Sequence, residues 1–595
     1  MLIKLSDYIA KRLKEHGVEH LFMVSGGGAM HLNDSLGHAI PFTANHNEQA
    51  SSFSAEGYAR VNQKLAVVNV TTGPGGLNCM NGLFGEWTDS VPVMYISGQV
   101  KRRTMLTTYP DIPLRQLGDQ EVDIISVVKS LTKYAVTVED PNDIKYHLDR
   151  AVYEATTGRF GPVWINIPID VQASLIDEEN LREFLPPKKN SSDCKIEAIS
   201  EKLKTAKRPL IIAGHGIRLS GQIENFYKLI EQLKIPVVTT FNGFDIMNDN
   251  NPYYVGRIGT IGQRAGNFAL QNADLILCLG TRNNIRQVSY NWENFGKNAF
   301  KIVVDIDRAE LDKPLVVPDM KINADLADFI GVSKEWENVC GNDRDDWKCW
   351  LEFCKNLKNK YSFKNHPEHK QGDEEINPYY FTKYLTEELK ERDILVSANA
   401  TPSICIFQVH DIKGERVIMN SGDASMGFAL PASIGAYYSK KDDKSRVVCF
   451  EGDGSIMMNI QELQTVVTNK IPLKIFVINN GGYSSIQQTQ KNFFDGRMTA
   501  SGMDSGVGVP DFVEVAKAFG LKTKRIDNPK TMREDIKDVL NSDGAILCEV
   551  ITEKEYAFLP KLSSKKFPDG TMVSPSLEDM YPFLKRDEFE KNMLN

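Results

Sequence analysis

The sequence predicts an α/β fold of three doubly wound parallel-sheet domains in one chain of 595 residues. Three observations predict it. Short apolar runs alternate with helical spacing along most of the length, the pattern of parallel strands wrapped by helices. Two polar stretches, 177–193 and 341–375, divide that pattern into thirds. The composition, 42% hydrophobic and 25% charged, is that of an ordinary globular chain and excludes wholesale disorder or a fibrous repeat.

The opening segment 1–17 has Leu5, Ile9 and Leu13 four apart and reads as an amphipathic helix. It lacks the apolar core and small-residue cleavage site of a signal peptide. LAVVNVTTG (65–73), VPVMYISG (91–98) and PVWINIP (162–168) read as buried strands, with helical spacing at 48–61 and 77–88. In the middle third the strands are PLIIAG (209–214), PVVTTF (236–241), DLILCLG (274–280) and KIVVDID (301–307), with a helix at 223–233. The last third brings ILVSAN (394–399), RVVCFEGDGS (446–455), PLKIFVINN (472–480) and AILCEVIT (545–552). The segment 558–584 has no clear period, but its spaced Phe, Leu and Tyr suggest a strap packed on the body rather than a disordered tail. The expected domains are 1–175, 190–340 and 373–595.

Lys and Arg number 70 against 78 Asp and Glu, a net charge of −8, and no basic stripe or RNA-binding signature stands out. Nucleic acid is therefore not the expected partner. Nine cysteines are scattered without a C-x-x-C pair, and Cys278, Cys449 and Cys548 sit in apolar strand-like runs. That usage fits a reducing compartment. No run of about 18 apolar residues occurs, so no membrane span is expected. The expectation is a cytoplasmic protein.

The constellation that carries chemistry lies at 446–483. The strand RVVCFE leads into GDGS, a helical run follows at 456–470, and the strand PLKIFVI ends in Asn479-Asn480-Gly481-Gly482-Tyr483. Strands of a parallel sheet deliver polar groups at their C-terminal ends, where such sheets bind ligands. Asp453 and Asn480 are thus expected side by side. A carboxylate, an amide oxygen and a backbone carbonyl suit a hard divalent cation such as Mg2+, with phosphate oxygens completing its shell. Gly452 and Gly454 let the backbone approach a phosphate, faced by amides at the start of the following helix. A GDG alone is more often a tight turn; the full spacing is far more specific.

This stretch resembles the diphosphate-binding motif of thiamine-diphosphate-dependent enzymes. The resemblance implies that Asp453, Asn480 and the Gly482 carbonyl hold Mg2+, while Gly454 and Ser455 contact the diphosphate, with Gly452 and Tyr483 beside them. It also implies a glutamate that protonates the cofactor's pyrimidine at N1′, a group expected to be partly desolvated with a raised pKa. Glu48, in NHNEQASSFSAEGYAR (45–60), starts a helix at the position the resemblance demands. By itself, a Glu there is usually a favourable charge at the helix dipole. Glu56 matches the family's AEGYAR segment instead.

TTGPGGLN (71–78), SGQV (97–100), DQEVDI (119–124), VDIDRAEL (304–311) and MGFALPASIGA (426–436) extend the resemblance over nearly the whole chain. In pattern it is similar to the catalytic subunit of acetolactate synthase. On that resemblance the cofactor-binding set includes Gly26, Gly27, Thr72, Asn78, Ser403, Ala424 and Met426. Met426 is the wedge that bends the cofactor into a V, and its bland reading as a core residue is compatible with that. Gln120 and His31 join Glu48 as catalytic candidates. With an unperturbed pKa of about 6.5, His31 or His46 could shuttle protons, although a loop histidine is more often simply exposed. In this family the glutamate and the metal site of one centre come from different subunits, which implies a homo-oligomer, dimer or tetramer, with shared active sites.

The implied activity is a carboligase: decarboxylation of a 2-oxo acid, pyruvate foremost, and transfer of the acyl or enamine unit to a carbonyl acceptor. Two departures bear on the acceptor. Thr489, in QQTQK (487–491), stands where the family has a pocket-shaping tryptophan, and Asp119 where it has a bulky aromatic. Pockets that hydrogen-bond hydroxyls select hydroxylated ligands, so a larger polar keto sugar is the expected acceptor. Carboligases of bacterial surface-sugar pathways also resemble this chain. The competing readings are a 2-oxo acid decarboxylase or lyase on the same scaffold, disfavoured because no His-His pair occurs, and an inactive structural or regulatory paralogue, disfavoured because Glu48, Asp453 and Asn480 are intact. For the central domain two readings stay open. GTRNNIR (280–286) and GRIGTIG (256–262) resemble flavin-contacting stretches, with Arg282 and Arg286 suited to a pyrophosphate. AGHGIR (213–218) departs from the family's glycine-rich turn, as in relatives whose central domain is empty. FAD is thus undecided by sequence.

Overall fold

In the computed structural model, residues 2–188, 192–331, 344–439, 444–566 and 569–594 are described; the expected domain bounds 1, 190, 340 and 595, Cys340 and the start of the 341–375 stretch lie outside them. Uninterrupted Val, Ile and Leu runs become the inner strands, buried on both faces, and with less buried edge strands they form three six-stranded parallel sheets. The first holds, in spatial order, Phe42–Ala44, Leu21–Met23, Ala66–Val70, Val93–Gln99, Val163–Pro168 and Tyr134–Thr137. The second holds Tyr254–Arg257, Val237–Thr239, Pro209–Ala213, Leu275–Leu279, Phe300–Asp305 and Met320–Asn323. The third holds Arg416–Met419, Ile394–Ser397, Val447–Gly452, Lys474–Asn479, Ile546–Ile551 and Lys522–Ile526.

Numbered along the chain within each sheet, the outer two share the order 2-1-3-4-6-5 and the central one runs 3-2-1-4-5-6. Where the order reverses beside the first strand, a crevice opens at the strands' C-terminal ends. Loops of small residues flank each crevice: SGGG (25–28) and TTGPGG (71–76), GHG (214–216) and GTRNN (280–284), ANAT (398–401) and GDGS (452–455).

Two local expectations are corrected. Residues Leu2–Lys4 form a strand antiparallel to Leu175–Asp177, so the first helix spans only Leu5–Glu15, with Leu5, Ile9 and Leu13 fully buried. The helical run at 456–470 is two pieces, Asp453–Ile456 and Glu462–Thr468. Asn459 is drawn out of helical register because its buried Nδ2 donates to the Gly427 carbonyl over 2.9 Å. Tertiary contact overrides propensity there.

The N- and C-terminal domains dock through helices Glu48–Asn62 and Ala429–Ser439. A Cβ on Gly435 would stand 1.8 Å from the Ser54 carbonyl oxygen, so only glycine admits this approach. A buried ion cluster reinforces the docking: Arg60 reaches Glu56 and Asp89 at 2.7 Å each, while Asp89 accepts the backbone N–H of Ser421. The segment after Phe558 crosses the central domain, where Asn267 Nδ2 donates to the Leu577 carbonyl and Arg264 to that of Met580. The eight described cysteines are free thiols, and among the described residues no helix is long and apolar enough to cross a membrane.

Candidate active site

Strands Val447–Gly452 and Lys474–Asn479 are parallel neighbours with Gly452 opposite Ile478, so Asp453 and Asn480 leave the sheet edge together. Asp453 opens a short helix, and its buried carboxylate accepts backbone N–H groups from Gly454 (2.6 Å), Asn480 (3.1 Å) and Gly482 (2.9 Å). Burial nevertheless pushes it up to about 6, against those hydrogen bonds. Asn480 turns its Nδ2 towards the hydroxyls of Tyr556, Ser484 and Thr401, and its buried Oδ1 has no protein partner. Gly482 has φ +121° and a Cβ there would stand 2.6 Å from the Ser501 carbonyl oxygen, so glycine is required to shape this turn.

The glycines of GDGS differ. A Cβ on Gly454 would lie 2.3 Å from the Tyr483 ring and near the Met426 methyl, which packs these two half-buried side chains over the loop. At Gly452 a Cβ would meet nothing within 4 Å, so no protein atom demands glycine. Ser455 Oγ accepts from Gly427 N over 2.9 Å, tying the loop to the residue after Met426. Ala424 is exposed at φ +58° and donates its N–H to Asn420 Oδ1. Ser403 is fully buried and its hydroxyl bonds to the Ala400 carbonyl, so it serves its own helix turn and is a weak candidate for cofactor contact.

In the N-terminal domain Glu48 begins its helix behind the cap Asn47. The Glu48 carboxylate is half-buried and accepts from Asn78 Nδ2 over 2.9 Å, which gives Asn78 a task towards Glu48. The two glycine-rich loops pack closely: a Cβ on Gly26 would press on Thr71, whereas Gly27 has open space. Thr72 is buried with an unpartnered Oγ1. Gln120 is exposed at φ +58°, and its carbonyl lies against Gly73. His31 is half-buried near the start of helix Met30–Ala39, one turn beyond that loop.

A cavity of about 790 Å³ lies at the central sheet's crevice, lined by Asp89, His215, Arg282, Arg286 and Asp305 among others. Burial, with Arg416 and Arg218 close by, pushes His215 down to about 3, so it is neutral. Sequence reasoning missed Asp89, Tyr556, Thr401 and Ser484; Asp89, Tyr556 and Thr401 meet partners distant in the chain, and Ser484, four residues from Asn480, is marked by no local pattern.

Three family profiles match in chain order: thiamine pyrophosphate enzyme, N-terminal TPP binding domain at 3–126, central domain at 196–331 and C-terminal TPP binding domain at 403–550. The acetolactate synthase large subunit of Lactococcus lactis subsp. lactis (strain IL1403) is 32% identical, over 94% of each chain. The chain belongs to the thiamine pyrophosphate enzyme family. The acetolactate synthase isozyme 2 large subunit of Escherichia coli (strain K12) is 30% identical, covering 97% of this chain and 99% of its own. Acetolactate synthase 1, chloroplastic, of Zea mays is 30% identical, covering 94% and 87%. This is an acetolactate synthase-like, thiamine diphosphate-dependent transferase, and its cofactors are thiamine diphosphate and a divalent metal. The residues fit that pair. Asn480 presents a buried oxygen with no protein partner, Asp453 a desolvated carboxylate that a cation would hold ionised, and Gly452 a loop surface open to phosphate.

Proposed function

We propose that this enzyme decarboxylates pyruvate and transfers the two-carbon acyl unit to a carbonyl acceptor, with Mg2+ held by Asp453, Asn480 Oδ1 and the Gly482 carbonyl. The observation that carries the reading is the buried, unpartnered Oδ1 of Asn480, a residue whose backbone N–H meets the Asp453 carboxylate. The open face of Gly452 and the backbone amide of Ser455 suit a diphosphate, which Met426 and Tyr483 would flank. Thiamine diphosphate supplies the electron sink. Glu48, aligned by Asn78, holds a proton against N1′ of the aminopyrimidine. Thr72 Oγ1, buried and unpartnered beside Gly28, offers a hydrogen bond on the same side.

Glu48 of one subunit faces the metal centre of another, so the working unit is a homodimer or a multiple of it. Its domains span 1–175, 190–340 and 373–595. Transfer is favoured over simple release because the chain has no His-His pair. The acceptor is a larger polar ketone of the keto-sugar kind. Thr489 and Asp119 are exposed and polar where an apolar wall would select a small oxo acid. The central cavity is sized for a dinucleotide, with Arg282 and Arg286 for a pyrophosphate, and we assign FAD to it. The free cysteines suit the cytoplasm.

The test is mass spectrometry of products from pyruvate offered with oxo acids, aldehydes and keto sugars. A condensed keto-sugar product is expected; rapid self-condensation of pyruvate with keto sugars ignored would overturn the acceptor. A yellow purified protein is expected from the flavin assignment, and a colourless one that takes up no FAD would remove it.

A further inference from the structure

The Asn480 side chain meets three hydroxyl groups from three separate segments. Thr401 opens helix Thr401–Val409, Ser484 opens helix Ser484–Phe493, and Tyr556 follows strand Ile546–Ile551. The hydroxyls close a ring: Thr401 to Ser484 is 3.1 Å, Ser484 to Tyr556 is 2.9 Å, and Tyr556 touches Thr401 directly. Each hydroxyl has one proton to give. When each donates to the next, all three protons are used inside the ring, and lone pairs face its neighbour.

Asn480 Nδ2 meets those lone pairs, 2.9 Å from Tyr556, 3.3 Å from Ser484 and 3.4 Å from Thr401. An amide turned the other way would bring its oxygen against acceptors and break the ring to find a donor. The ring therefore reads the NH2 end of the amide and turns Oδ1 away from the hydroxyls, where it is buried without a protein partner.

We propose that Tyr556, with Thr401 and Ser484, is a positioning residue of the metal centre, fixing the Asn480 amide so that Oδ1 faces the cation. This rests on the reading that Asn480 is a metal ligand. Outer partners that orient a ligand govern affinity: their removal typically weakens metal binding roughly 10-fold or more.

The experiment titrates Mn2+ into the full-length protein with thiamine diphosphate present and reads free Mn2+ by electron paramagnetic resonance. Tyr556→Phe, Ser484→Ala, Asn480→Ala and the double variant Tyr556→Phe/Asn480→Ala are compared with the parent. Tyr556→Phe should weaken Mn2+ roughly 10-fold and regain cofactor binding at high Mn2+. Ser484→Ala should move the same way and carries the test should Tyr556→Phe not fold. On the Asn480→Ala background Tyr556→Phe should add nothing. Weak Mn2+ binding in Asn480→Ala with parental binding in Tyr556→Phe and Ser484→Ala overturns the positioning role alone. Parental binding in Asn480→Ala removes the ligand and the inference with it. Equal weakening by Tyr556→Phe on both backgrounds shows that it acts by another route and also overturns the inference.

Discussion

Gly57 and Ala432 meet backbone to backbone across the N- and C-terminal domains: a Cβ on Gly57 would stand 2.1 Å from the Ala432 carbonyl oxygen. The contact fixes the helix that begins at Glu48 on the helix that follows Met426, so one close approach sets how each chain presents these two elements, which are proposed to serve two different cofactor sites of the dimer. Backbone cannot move aside as a side chain can, which makes this position sensitive.

Gly57→Ala should cost about 1–3 kcal/mol by overpacking. At roughly 2–4 °C per kcal/mol for domains of this size, calorimetry should find a thermal midpoint lower by several degrees. Gly372→Ala is the control, since its nearest foreign atom would be 4.0 Å away. Equal midpoints for both variants would contradict the docking argument.

Glu48→Gln keeps an oxygen for Asn78 but holds no exchangeable acid for N1′. Cofactor affinity should stay within a few-fold by fluorescence titration, while kcat falls by roughly 10²–10⁴. Undiminished turnover would remove Glu48 from its role.

Burial pushes Glu56 up to about 7, with Arg60 opposing and Asp89 adding. A carboxyl whose folded pKa exceeds its unfolded one binds its proton more tightly when folded. Its contribution is complete below the ordinary value of 4.5 and is lost as pH rises through about 7. Glu56→Gln, uncharged throughout, should therefore gain thermal midpoint relative to the parent between about pH 5 and pH 8. A difference that stays constant over that interval would contradict the shift.

Much of this was legible in the sequence. The strands at 65–73, 209–214 and 446–452 announce themselves because burial on both faces leaves no polar alternation. Strands such as Leu21–Met23 and Phe42–Ala44 were not legible, being three residues long. Asp453 and Asn480 could be paired from strand spacing, since neighbouring parallel strands end together. The hydroxyl ring could not, for Tyr556 lies 76 positions beyond Asn480 and only the sheet brings them together. The break at Asn459 was hidden for a similar reason: 456–470 is locally a good helix, and the Gly427 carbonyl that breaks it comes from another segment.

Subunit complementation tests the central claim most directly. Glu48→Gln and Asp453→Ala proteins, each inactive alone, are mixed under conditions that exchange subunits. With the acid and the metal centre drawn from different chains, each hybrid dimer has one intact site, and the mixture should regain up to about a quarter of parental activity. With both drawn from one chain, every site carries a lesion, and a mixture as inactive as its components despite confirmed exchange would contradict the account.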